Sequence, residues 1–136
     1  KDRVIFKDFA HSPSKVKATT DAVKEQYPNR TLVACLELHT YSSLNAEFLK
    51  EYESALDSAD IAVVFYSPEA VKIKRLDEVT QEQIAKSFNR NDLIIYTNPK
   101  EFEEYLYKLN LKNAVLLLMS SGNYGGLDLN ILIEKI

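Results

Sequence analysis

The sequence predicts an α/β fold: one doubly wound, mostly parallel sheet with helices on both faces. Three observations carry this. Short apolar runs recur at residues 4–6, 32–36, 61–66, 93–96 and 114–119. Most are continuously apolar rather than alternating, as in strands covered on both faces. Between them, apolar residues repeat at helical spacing, and such strand–helix alternation closes into a parallel, Rossmann-like sheet.

Each helix has a legible start or inner stripe. Pro13 suits a first helical position, where no amide hydrogen is needed, and Val16, Thr20, Val23 and Tyr27 follow at helical spacing. Phe48, Tyr52 and Leu56 form the stripe of a second helix, predicted to begin at Leu44 with Ser43 as its cap. Thr80-Gln81-Glu82-Gln83 reads as a capping box leading to Ile84 and Phe88. Asn98-Pro99, with Glu101 after it, opens a fourth helix whose inner face is Phe102, Leu106 and Leu109. Leu129, Leu132 and Ile136 mark the last. The polar stretch 72–77 reads as a surface excursion, with Glu69, Lys72, Lys74 and Arg75 in a solvated loop. No repeat, low-complexity tract or linker interrupts the pattern, so residues 1–136 read as a single domain.

Composition excludes several function classes. With 17 basic against 20 acidic residues, the net charge of −3 is a poor match for a nucleic-acid backbone or an anionic membrane. The single cysteine, Cys35, excludes an internal disulfide, a thiol pair and a multi-cysteine zinc site; within an apolar run it reads as a small core residue. The longest apolar run, 114–119, is too short to span a bilayer, and no signal-peptide pattern opens the chain, so a cytoplasmic setting is expected. The chain enters its first strand directly from Lys1-Asp2-Arg3, without a methionine, which reads as a fragment of a longer polypeptide.

In a doubly wound sheet, ligands collect at the carboxyl ends of the strands. His11 follows the first apolar run, His39 follows the second, and Gly122, Gly125 and Gly126 follow the fifth, so unusual residues gather at one edge. In the first loop, Asp8 suits a sugar diol or a cation, and His11 near a helix N-terminus suits a phosphate or carboxylate. The plainer alternative has Asp8 ending a strand, Ser12 capping a helix and His11 solvated. The second loop brings His39, Thr40, Tyr41, Ser42 and Ser43 ahead of a helix, a set suited to an anionic group. In the third loop the glycines permit positive φ, so that successive amides turn inward into an anion-binding concavity. A tight strand-to-helix turn needs the same backbone angles, and Tyr124 is either a ring against a ligand or a plug for the loop.

Other chemistries find no support. The chain has no P-loop, no dinucleotide fingerprint in the first turn, and no nucleophile elbow around Ser121. Asp8, His11 and His39 lack metal-ligand spacing, so no metal site is expected.

Asp8-Phe9-Ala10-His11-Ser12-Pro13 resembles the D-[FY]-[AG]-H-x-P signature opening the C-terminal domain of the Mur ligases, ATP-dependent amide ligases of peptidoglycan synthesis. Residues 37–42 fall where the alanine-adding members carry a proline-histidine-arginine loop. Residues 117–127, ending Ser120-Ser121-Gly122-Asn123-Tyr124-Gly125-Gly126-Leu127, are similar to the M-S-N-G-[GS]-[FY]-G-G segment of the murein peptide ligase branch. The resemblance runs nearly end to end.

It implies a three-domain ligase of which this chain is the third, lacking the N-terminal UDP-sugar domain and the central P-loop ATPase. ATP and Mg2+ would be held mainly by that central domain. The implied reaction joins a murein tripeptide to UDP-N-acetylmuramate through an acyl phosphate, in cell-wall recycling. The C-terminal domain would bind the incoming amine and swing over the ATP site, so the isolated domain is expected to be inactive. By position, Asp8 would approach the nucleotide ribose. His11 would be catalytic, near the terminal phosphate or the incoming substrate. His39, Ser42, Ser121, Gly122, Asn123, Tyr124 and Gly125 would hold the peptide and its carboxylates. Leu38 stands where relatives have proline, the loop lacks their arginine, and Asn123 replaces a small residue; a somewhat different peptide is implied. An α/β module binding a carboxylated ligand without catalysis is the alternative, distinguished by whether a G-x-x-[GN]-K-[ST] P-loop precedes Lys1. A receiver-like phosphoryl switch is disfavoured by Tyr66-Ser67-Pro68, where an aspartate should end the third strand.

Overall fold

In the computed structural model, which describes residues 3–40, 44–75, 77 and 79–136, five parallel strands form one sheet. The strands are β1 (Arg3–Asp8), β2 (Thr31–Leu38), β3 (Ile61–Tyr66), β4 (Ile94–Tyr96) and β5 (Ala114–Met119), in the spatial order β1-β5-β2-β3-β4. Helices cover both faces, as predicted. Side chains alternate across a strand, which divides β2 between two cores. Leu32, Ala34, Leu36 and Leu38 join one core with helix α1 (Pro13–Gln26), α2 (Ala46–Leu49), α3 (Pro68–Ile73) and α4 (Gln81–Ser87). Val33 and Cys35 face the other core, under α5 (Pro99–Lys108) and α6 (Leu129–Lys135). Burial pushes the Cys35 thiol far up, so it stays protonated and unreactive.

The order places β5 between β1 and β2, so the loops after β1, β5 and β2 are neighbours at the carboxyl edge. Double coverage holds for β2, β3 and β5, whereas β1 and β4 lie at the sheet edges and are only half-buried.

Several helix starts behave as their chemistry dictates. Thr80 and Gln83 form the reciprocal capping box, and the Asn98 side chain accepts the amides of Lys100 and Glu101. Ser12 occupies the cap position of α1 without a side-chain cap bond.

Two expectations need correction. The second helix is not continuous: α2 spans one turn, a 3₁₀ turn covers Lys50–Tyr52, and Ser54 then turns left-handed (φ 65°). The helix begins at Ala46 and its cap is Asn45, whose side chain accepts the Glu47 and Phe48 amides; Ser43 lies outside the described residues. The break lets Tyr52 stack on Phe88 at 5.2 Å and donate its hydroxyl to the His11 carbonyl at 2.5 Å. The second correction concerns the region after β3, where residues 68–73 are helical and not a loop. Ser67 caps α3 through the Ala70 amide, Pro68 sits at its start, and Val71 is buried. Glu69 and Lys72 are thus exposed helix residues.

The edge opposite the loops is tied by Asp60, whose carboxylate accepts the Leu32 amide at 2.7 Å and Lys24 Nζ at 2.8 Å. Partial burial pushes its pKa up, but the Leu32 amide, Lys24 and Arg90 outweigh this and hold it below the ordinary value. Asp60→Ala is expected to lower stability at neutral pH by about 1–2 kcal/mol, from the amide left unpaired. A group with a lowered folded pKa stabilises above its unfolded pKa and loses that contribution as pH falls through the folded one. Urea unfolding of both proteins should therefore show the difference shrinking in acid.

Candidate functional site

Where β1 ends, Asp8 folds the chain back: its Oδ1 accepts the Ala10 amide at 2.8 Å, and its carbonyl accepts the Ser120 amide at 3.0 Å. This turn buries Ala10 and leaves Phe9 standing 70% exposed. The Phe9 ring meets the His11 ring edge-on at 5.6 Å. His11 Nδ1 lies 2.9 Å from the Phe9 carbonyl. A carbonyl only accepts, so Nδ1 carries the hydrogen, and in the neutral ring Nε2 keeps its lone pair.

The second and third loops meet through a residue absent from the expected site. Glu37, next to last in β2, continues the Val33/Cys35 face and is buried to 2% exposure. Its Oε1 accepts the Ser120 hydroxyl at 2.5 Å and the Tyr124 amide at 2.9 Å. The Ser120 hydroxyl in turn accepts the Gly122 amide at 2.7 Å. Glu37 Oε2 lies 3.6 Å from His39 Nδ1, and the His39 imidazole is 44% exposed. One signal marked Glu37 beforehand: it is an acid on the core-facing alternation of an otherwise apolar strand.

The glycines serve different ends. At Gly122 a Cβ would come within 3.1–3.2 Å of the His39 ring and the Glu37 carboxylate, so a side chain would displace one of them. Gly125 (φ 78°) faces Pro99 and Phe65, with the Pro99 Cγ 2.7 Å from a Cβ position; Gly126 (φ 108°) has open space. Gly125→Ala is accordingly expected to destabilise by about 1–3 kcal/mol from backbone strain, plus the clash. Gly126→Ala should show the strain alone. Paired urea melts of the two variants test the separation.

An open groove of about 710 Å³ runs along this edge, walled by Lys7, Asp8, Phe9, Ser120, Asn123 and Asp128, with Gly122 and Gly126 contributing backbone. Lys7 Nζ donates to Asn130 Oδ1 at 3.1 Å across it. Of the expected residues, Asp8, Gly122 and Asn123 thus line one groove. His11 and His39 do not line it. Ser121 Oγ is buried and meets no hydrogen-bond partner among the described residues. The Tyr124 ring is a plug: it is fully buried, stacked on Phe102 at 4.8 Å, with its hydroxyl 2.7 Å from the Met119 carbonyl. Gly125 faces the core side of the loop. Ser42, with Tyr41 and Ser43, lies outside the described residues. Sequence reasoning passed over Phe9 and Lys7 as well as Glu37. Among the described residues, no three His, Cys, Asp or Glu side chains gather as a metal site, and no helix is long and apolar enough to cross a membrane.

Comparison with known proteins places this edge in context. The family model described as Mur ligase, glutamate ligase domain, matches residues 1–122. A curated relative, UDP-N-acetylmuramate–L-alanine ligase from a Sulfurihydrogenibium species, is 30% identical over 124 residues, covering 90% of this chain and 27% of its own length. The murein peptide ligase of Psychrobacter arcticus superposes with a TM-score of 0.70 at 17% identity, over 98% of this chain and 28% of that one. The UDP-N-acetylmuramate–alanine ligase of Thermotoga maritima gives 0.63 at 19%, over 96% and 26%. At those identities the two structures speak for the fold. The chain spans about a quarter of the length of these relatives. The family match over residues 1–122, carried on this five-stranded parallel sheet, shows that the chain belongs to the Mur ligase family and has the fold of its C-terminal domain.

Proposed function

We propose that this chain is the amine-receiving C-terminal domain of a three-domain, ATP-dependent ligase that joins a murein tripeptide to UDP-N-acetylmuramate. The observation that supports it best is the joining of the Asp8–Pro13 motif loop to the glycine loop by the Ser120 amide and the Asp8 carbonyl, across one shared groove. ATP supplies the phosphoryl group that activates the muramoyl carboxylate.

The residues present fit such a ligand set. Asp8 has acceptor capacity left for a ribose diol after taking the Ala10 amide, and the exposed Phe9 ring beside it offers a face for a base. His11, with its hydrogen held at Nδ1, presents Nε2 either as an acceptor for the proton of an incoming ammonium or, once protonated, as a donor to phosphate. His39, Ser121 and the loop at residues 122–125, including Asn123, form the peptide side. Lys7 and Asp128 add opposite charges to the groove, suited to a peptide with both carboxylate and ammonium groups. Tyr124 serves by holding the loop, its ring packed into the core and not against a ligand. Closure of the domain over the central one would exclude water from the acyl phosphate.

A second reading, an L-alanine-adding ligase, is favoured by the 30% identical curated relative. The class is tested by supplying the full-length polypeptide with ATP, UDP-N-acetylmuramate and L-Ala-γ-D-Glu-meso-diaminopimelate. ADP, phosphate and UDP-N-acetylmuramoyl-tripeptide should appear in equal amounts, and the 136-residue chain alone should yield none. Ligand binding by the full-length polypeptide without ADP or product would favour a non-catalytic binding module.

A further inference from the structure

We propose that Glu37 is a positioning residue that fastens the glycine loop to the His39 loop, presetting the amine side of the site without acting on the nucleotide side. The ligase reading above underlies the kinetic half of this inference; the loop geometry stands apart from it. A carboxylate at 2% exposure is costly unless hydrogen-bonded, and Glu37 finds its donors in the glycine loop, at Ser120 Oγ and the Tyr124 amide. Those two bonds close the turn on both sides of Gly122. They also hold Tyr124 in a left-handed conformation (φ 56°), which a non-glycine residue adopts only when its surroundings compel it. On the other carboxylate oxygen, His39 Nδ1 stands 3.6 Å away, and the bare Gly122 lets the His39 ring approach. One buried acid therefore sets the shape of the third loop and the place of the second loop's imidazole. The nucleotide side is built differently. Asp8 meets the glycine loop through backbone alone, its carbonyl accepting the Ser120 amide at 3.0 Å, and its carboxylate takes the Ala10 amide, while His11 is held by the Phe9 carbonyl and the Tyr52 hydroxyl; none of these bonds uses the Glu37 carboxylate.

The test uses the full-length polypeptide. Glu37→Leu removes the acceptor, whereas Glu37→Gln keeps an oxygen able to accept both bonds. Hydrogen–deuterium exchange of peptides covering residues 117–127 should quicken about tenfold or more in Glu37→Leu and stay near wild type in Glu37→Gln. KM for the amine substrate should rise about tenfold or more in Glu37→Leu, with KM for ATP within about twofold of wild type. Glu37→Gln should restore the amine KM. Should Glu37→Leu fail to fold, Ser120→Ala carries the test, with the same pattern expected at smaller size. Unchanged exchange, an ATP KM rising in step with the amine KM, or a glutamine variant as impaired as leucine would overturn the assignment. Faster exchange in a polypeptide that ligates no amine would uphold the loop fastening and overturn the ligase reading instead.

Discussion

Tyr124→Ala is expected to destabilise the domain by about 3–5 kcal/mol, the range for removing a buried aromatic side chain. The ring fills the space between Phe102, stacked at 4.8 Å, and Phe65, edge-on at 5.8 Å. Its loss opens a cavity under the glycine loop, where the backbone is held in left-handed turns and has little freedom to collapse. The hydroxyl adds a smaller, separable part, for it lies 2.7 Å from the Met119 carbonyl and 3.0 Å from that of Cys35. Burial pushes the phenol well above its ordinary pKa, so it remains a donor. Tyr124→Phe should therefore cost about 1–2 kcal/mol, from one lost bond to a buried carbonyl. Urea unfolding of the three proteins resolves the two parts. Equal losses for alanine and phenylalanine would show that the hydroxyl, and not packing, holds the loop.

His11→Ala is expected to act the other way, sparing the fold and impairing the reaction. The side chain is half-buried and its contacts are local: the Phe9 carbonyl and the Phe9 ring. The Tyr52 hydroxyl grips the His11 backbone carbonyl, which alanine retains. Stability should then change by less than about 1 kcal/mol. In the full-length polypeptide, kcat/KM for ligation should fall by about 10²–10⁴, the usual contribution of a positioned proton donor or acceptor. Steady-state ligation alongside a urea melt decides the matter. A stable variant with normal ligation would return His11 to the role of a loop-former.

What the sequence made legible was chemistry local to a few residues. Asn98-Pro99 and the Thr80–Gln83 box announced their helices because a cap needs nothing beyond its own turn. Ser67-Pro68 carries the same kind of signal, yet the charged residues after it read as loop because one buried residue, Val71, is too short a stripe for periodicity to register. The break in the second helix depends on a distant partner, Phe88, whose stacking on Tyr52 no local pattern reveals. In the candidate site, Asp8, His11, His39 and the glycines stood out as unusual residues at strand ends. Glu37 was hidden by reading it as the start of a loop; it is a strand residue whose alternation aims it at the neighbouring loop. That link exists because β5 inserts between β1 and β2, a matter of topology rather than residue type.

The amine accepted by the full-length polypeptide separates the tripeptide ligase from the alanine-adding one. Initial rates of ligation to UDP-N-acetylmuramate should be measured with L-Ala-γ-D-Glu-meso-diaminopimelate and L-alanine in competition, each product identified by mass. The proposed function predicts preference for the tripeptide by about a hundredfold or more, a difference of about 3 kcal/mol. Preference for L-alanine, or no product with either amine, would contradict it.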